Sequence, residues 1–132
     1  MSSSIAIMIL ASPGGAASSH TALAFVRSAI RQGYRIQCLF FYHEAAQLGS
    51  SLTVSNQDEI NLPACWQALI AEHRLEAVVC IASALKRGII DDDEARRYQK
   101  NAASLDSRMT LAGLGQWIEA VRLADRHIVF PC

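Results

Sequence analysis

Four short apolar, β-rich runs separated by stretches of helical periodicity constrain this chain more than any other feature. The runs cover residues 5–10, 35–41, 77–81 and 127–130. Strands that alternate with helices predict a parallel sheet covered on both faces and joined by right-handed crossovers. The chain has 132 residues and is 52% hydrophobic, which suffices for a core and is expected to form a single α/β domain over 1–132.

The helical stretches have readable ends. Over 18–32, Ala22, Phe25, Val26, Ala29 and Ile30 share one face. Ser18 or Ser19 suits the start of that helix and Gly33 its stop. Over 62–73, Leu62, Cys65, Trp66, Leu69, Ile70 and His73 follow helical spacing, with Pro63 in the first turn. Asp58 and Glu59 before that helix, and His73 and Arg74 at its end, suit the helix dipole. A short helix is expected from Asp91, where Asp91 and Glu94 have capping-box spacing. A last helix is expected over 110–124, burying Leu111, Leu114, Ile118 and Val121. Residues 44–57 read as a polar loop and 98–108 as irregular.

Charge and composition narrow the function. Lys plus Arg equals Asp plus Glu, so the formal net charge is zero. With no basic block, direct nucleic-acid binding is not expected. A neutral surface and a mean hydropathy of +0.19 favour association with other chains. The opening MSSSIAIMILASPGGAA has an apolar run followed by small residues, as a secretory leader does, but no Lys or Arg precedes the run. It is read as a first strand, and the chain as a cytoplasmic one with no membrane span. Its four cysteines, Cys38, Cys65, Cys80 and Cys132, are then expected as free thiols. No C-x-x-C and no Cys/His zinc spacing is present, so neither a metal nor a cofactor is expected.

In parallel α/β sheets, sites form outside the carboxyl ends of the strands. Residues 12–17, 42–44, 80–83 and the C-terminal tail are expected to gather there. Cys80 is the candidate that matters. As a strand cysteine it reads equally as a small core residue. As the last strand residue before a helical turn over 82–86, it reads as a nucleophile, with helix-start N–H groups and Lys86 and Arg87 favouring its thiolate. Cys65 lies on an apolar helical stripe and Cys38 inside a strand, so both are assigned to the core. Cys132 is assigned to an exposed, mobile tail with no role. Tyr42 and His43 read equally as a border of the Cys80 site and as the polar tips of a strand; His20 is expected to face solvent and His127 to be structural. ASPGGAASSH matches no phosphate-loop pattern, and Gly14 and Gly15 read as turn residues.

Three segments resemble the DsrE/TusD group of small sulfurtransferase subunits. They are CLFFYHEAA, VVCIASALKRGIIDDDEA and LAGLGQWIEAVRLADRHIVF. The resemblance spans nearly the whole chain. Departures are conservative: Ser83 stands where the group often has Ala, and Lys86 precedes Arg87 where it often has two Arg. The resemblance implies a flavodoxin-like fold and a persulfide on Cys80. It also implies TusC-like and TusB-like partners in a heterohexamer, a TusA-like sulfur donor and a TusE-like acceptor. The product in that branch is 2-thiouridine at the tRNA wobble position. A DsrE-like role in sulfur oxidation, a non-catalytic assembly subunit, and a small-ligand domain using the 12–17 loop remain as alternatives.

Overall fold

β1 (Ser4–Ile9) is buried along its whole length, and its alternate residues feed two different cores. A computed structural model describes residues 3–13 and 17–132; the turn assigned to Gly14 and Gly15 lies outside them. α1 (Ala17–Arg31) follows, then β2 (Arg35–Phe41) and a 3₁₀ stretch, His43–Gly49. After α2 (Leu62–His73) come β3 (Ala77–Cys80), α3 (Ile81–Lys86) and α4 (Asp92–Arg97). β4 (Thr110–Ala112), α5 (Leu114–Leu123) and β5 (Arg126–Phe130) complete the chain.

The five strands form one parallel sheet in the order β4-β3-β2-β1-β5. The layered α/β class is the expected one. Its direction of winding reverses at β1, between β2 and β5, whereas flavodoxin's own strand order reverses between its first and third strands. Ile5, Ile7, Ile9, Leu39, Phe41, Ala77 and Val79 point to one face, where α1 and α2 cover them. Ala6, Met8, Cys38, Phe40, Val78 and Cys80 point to the other, where Trp117 and Ala120 of α5 meet them. Burial on both sides is why these strands read as near-continuous apolar runs.

The helix ends are governed by local chemistry. α1 stops before Gly33, whose φ of 91° is a conformation that suits glycine. Ser18 and Ser19 lie inside α1 rather than before it: Ser19 Oγ donates to the carbonyls of Ala11 and Ser12, and Ser18 Oγ to that of Pro131. Asn61, not Asp58 or Glu59, caps α2, its Oδ1 accepting the Ala64 N–H at 3.1 Å. Asp91 caps α4 as expected, its Oδ1 accepting the Glu94 N–H at 2.8 Å.

Two expectations are corrected. Residues 110–112 pair with β3 as a short edge strand, so the last helix begins at Leu114. That helix buries Trp117 and Ala120 and leaves Leu114 and Ile118 exposed, 43% and 65%. The first part of the expected polar loop, residues 44–49, forms with His43 a 3₁₀ stretch that buries Ala45, Ala46, Leu48 and Gly49. Gln67 on α2 holds this stretch by donating its Nε2 hydrogens to the carbonyls of Leu48 and Ser50. Gly49 is there because a Cβ would lie 3.1 Å from both Leu105 Cδ1 and Val79 Cγ2.

Candidate functional site around Cys80

β3 passes into α3 with no linker, and Cys80 is the hinge residue. Its backbone (φ −58°, ψ 121°) is still non-helical, and its side chain makes no capping hydrogen bond. The thiol therefore stands at the strand's carboxyl end without a structural duty to the helix. It is only 4% exposed and packs beside Phe40, Val78 and Trp117 on the α5 side of the sheet.

A cleft of about 270 Å³ opens over Cys80. Tyr42 and His43 from the end of β2, Ser83, Lys86 and Arg87 from α3 and its end, and Gly113 and Leu114 after β4 line it. Two of the four segments expected at the carboxyl edge line this cleft, through Tyr42, His43 and residues 80–83. Gly113 and Leu114, which follow the edge strand β4, join them; the helix expected over 110–124 hides that strand end. The tail follows β5 at the same sheet edge, beside the end of β1, and does not line the cleft. Cys132 is exposed and directs its thiol to the Leu10 carbonyl at 3.8 Å, at the end of β1.

The cleft wall is tied together by specific bonds. The His43 N–H donates to Ser83 Oγ at 3.0 Å, joining the end of β2 to α3. His43 holds a left-handed backbone (φ 52°), and its ring lies 4.1 Å from that of Tyr42, centroid to centroid. Tyr42 and His43 therefore border the Cys80 cleft.

Lys86 and Arg87 look alike in the sequence, yet the fold separates them. Arg87 donates to the Ser83 carbonyl at 2.9 Å and pairs with the Glu44 carboxylate. Its charge is largely answered. Among the described residues Lys86 has no ion-pair or hydrogen-bond partner, so it supplies the uncompensated positive charge at the cleft. A cation lining the cleft attracts an incoming anionic sulfur group.

The other thiols separate by burial. Cys38 is enclosed between the sheet and α5, and burial, reinforced by the Glu76 charge, pushes its pKa up to about 12. It stays a neutral thiol at physiological pH. Cys65 packs against the core as expected but only partly buried, at the flank of the α2 stripe, while Leu62, Trp66, Leu69 and Ile70 take the fully buried positions. His20 is exposed on α1, and His127 packs its ring edge-on against Trp117 at 6.4 Å. Among the described residues, no cluster of three or more His, Cys, Asp or Glu could hold a metal ion, and no helix is long and apolar enough to cross a membrane.

A parallel five-stranded sheet with helices on both faces, and a small cleft over the thiol at the end of its third strand, define a layered α/β protein with a candidate site at the carboxyl edge of the sheet. The chain belongs to the DsrE/DsrF-like family, whose model matches residues 3–130. It is 42% identical to the sulfurtransferase TusD homolog of Pseudomonas aeruginosa, over 89% of this chain and 90% of that one. It is 38% identical to sulfurtransferase TusD of Salmonella arizonae, over 95% and 98%. A chain of Allochromatium vinosum provisionally named sulfurtransferase DsrE matches at 38%, over 85% and 86%. The crystal structure of the ychN protein from E. coli superposes with a TM-score of 0.78 over 98% of this chain and all of that one; at 17% identity, this speaks for the fold.

Proposed function

We propose that this chain is a sulfur-relay enzyme that accepts sulfane sulfur on Cys80 and passes it to the thiol of an acceptor protein. The observation that carries the reading is Cys80 itself, a strand-end thiol free of capping duty at the floor of a cleft. The sulfurtransferase names of relatives at 36–42% identity support it.

The chemistry balances without an external oxidant. The Cys80 thiolate attacks the outer sulfur of a donor persulfide, R–S–SH. A new S–S bond forms on Cys80, the donor's S–S bond breaks, and the donor leaves as thiolate. An acceptor thiolate then attacks the outer sulfur of Cys80–S–SH and regenerates the Cys80 thiolate. Both steps are thiol–disulfide exchange with a sulfur atom as cargo.

The finer reading is the tRNA branch: a TusA-like donor, a TusE-like acceptor, and 2-thiouridine at the wobble position as the end product. In that setting the chain works in the cytoplasm, where thiols stay reduced, beside TusC-like and TusB-like subunits in a heterohexamer. Exposed Leu114 and Ile118 on α5 and exposed Val129 on β5 support association, since they leave large apolar side chains open to solvent. Co-expression with neighbouring small α/β genes is expected to yield a complex larger than the chain alone by light scattering. A stable monomer that ignores both neighbours contradicts the assembly reading.

The reading is tested by mass spectrometry after incubation with a persulfide donor. Addition of one sulfur atom, mapped to the Cys80 peptide, is the expected result. Alkylation of the native chain offers a second check. By exposure alone, Cys65 should react ahead of Cys80. If Cys80 is the activated thiol, limiting iodoacetamide labels it about 10-fold faster than Cys65, a barrier difference of about 1.4 kcal/mol. Cys38 stays unlabelled, and peptide mapping that finds Cys65 labelled first contradicts the assignment.

A further inference from the structure

We propose that a groove adjoining the Cys80 cleft is the docking surface for the acceptor protein, and that the acceptor meets it with an acidic face. This rests on the sulfur-relay reading above. The groove, about 670 Å³, is lined by Leu85, Lys86, Gly88, Ile90, Tyr98 and Lys100.

Three observations carry the inference. The first is continuity. Lys86 lines both the groove and the Cys80 cleft, so a protein seated in one reaches the mouth of the other. Cys80 is nearly buried, and its sulfur has to be taken inside the cleft. Random collision serves such a site poorly, whereas a docked partner raises the local concentration of the attacking thiol.

The second is charge. Both charged residues of the groove are lysines, and neither Lys86 nor Lys100 has an ion-pair partner among the described residues. The nearby arginines are answered: Arg87 by Glu44, Arg96 by Asp93 and Arg97 by Glu94. The charge lining the groove itself is therefore positive, while the carboxylates of Asp91 and Asp92, which have no ion-pair partner among the described residues, stand outside the lining at the start of α4. The complementary partner carries carboxylates around its thiol.

The third is that the groove is preformed and apolar between its lysines. Ser104 Oγ donates to the Gly88 carbonyl at 2.6 Å and accepts the Ile90 N–H at 3.1 Å, which fixes that wall. Tyr98 stands 53% exposed at the end of α4, a rigid aromatic of the kind that anchors protein interfaces. Two lysines around an apolar groove on a neutral chain fit a protein better than a nucleic acid, which calls for a basic stripe with several phosphate contacts.

The test uses the full chain and the TusE-like protein of the same genome as probe. Binding is measured first, with no sulfur loaded, so that it does not depend on the role of Cys80. Lys100→Glu is expected to weaken binding about 10-fold at low salt, and rising salt to shrink that difference; Tyr98→Ala is expected to weaken it comparably. Neither residue touches the Cys80 cleft. Sulfur transfer from the loaded chain to dithiothreitol is therefore expected to be unchanged in both variants, while transfer to the TusE-like protein falls with binding. Unchanged binding in both variants overturns the proposal. So does equal loss of transfer to dithiothreitol and to protein, which would make the groove part of the chemistry rather than a dock. Loss of tRNA retention in place of protein binding, in a gel-shift arm, overturns it in favour of a nucleic acid. Failure of the wild-type chain to load sulfur at all counts against the Cys80 reading separately, because the binding arm still reports on the groove.

Discussion

Cys80→Ser is expected to reduce sulfur uptake from a persulfide donor to background while the chain stays folded. A hydroxyl is a poor nucleophile without a base, and it cannot hold sulfane sulfur. The structure refines the folding side of this expectation. Cys80 is buried among Phe40, Val78 and Trp117, so a serine hydroxyl placed there costs about 1–3 kcal/mol if unpaired. That is tolerable against a typical stability of about 5–15 kcal/mol. Cys80→Ala, which introduces no polar group, separates a folding defect from lost chemistry. Circular dichroism checks the fold of both variants, and cells carrying either lose the 2-thio group on the relevant tRNAs if the tRNA branch holds. Cys132→Ser is expected to transfer sulfur normally. The assignment moves to the tail if folded Cys80→Ser still takes up sulfur and Cys132→Ser does not.

Trp66→Ala is expected to lower stability by about 3–5 kcal/mol, the largest effect of any single change considered at the level of the fold. Trp66 is fully buried on α2 and meets Phe41 of β2 edge-on, with ring centroids 5.4 Å apart. Truncation would remove the ring that fixes α2 on the sheet and leave a cavity that the 3₁₀ stretch cannot collapse to fill. Trp66→Phe is expected to be much milder. The indole Nε1 has no hydrogen-bond partner among the described residues, and an unpaired buried donor costs about 1–3 kcal/mol. Losing that donor offsets part of the lost contact area. Urea denaturation followed by circular dichroism checks both variants. A Phe variant as unstable as the Ala variant would mean that the indole nitrogen does have a partner, such as a buried water.

Local patterns were sufficient for the main frame. β1, β2 and β3 are buried and β5 packs Ile128 and Phe130, partly buried, against one core, and such packing writes itself into the sequence as apolar runs. α2 was legible to its ends because Pro63 and the apolar spacing of Leu62, Trp66, Leu69 and Ile70 act within a few turns of one helix. β4 was not legible: three residues at a sheet edge carry too short a pattern to compete with the helix behind them. The same ambiguity misplaced the inner face of α5. Leu114 with Ile118, and Trp117 with Ala120, both satisfy helical spacing, and only contact with Phe40 and Val78 turns the second pair inward.

At the site, the strand-end position of Cys80 could be read from residues 77–86, because a strand meeting a helix start is a local event. The relative burial of the thiols could not. Cys65 on its apolar stripe proved more accessible than Cys80, since accessibility depends on what other elements lay over each. Lys86 and Arg87 are neighbours of equal charge in the chain, and Glu44, brought in from beyond the end of β2, answers one and not the other. Periodicity, caps and strand ends are set by interactions between residues close along the chain, so they were present in the amino-acid order. Which charge remains unanswered, which helix face turns inward and which segments share a cleft depend on contacts between residues far apart in it, and the folded sheet decided those.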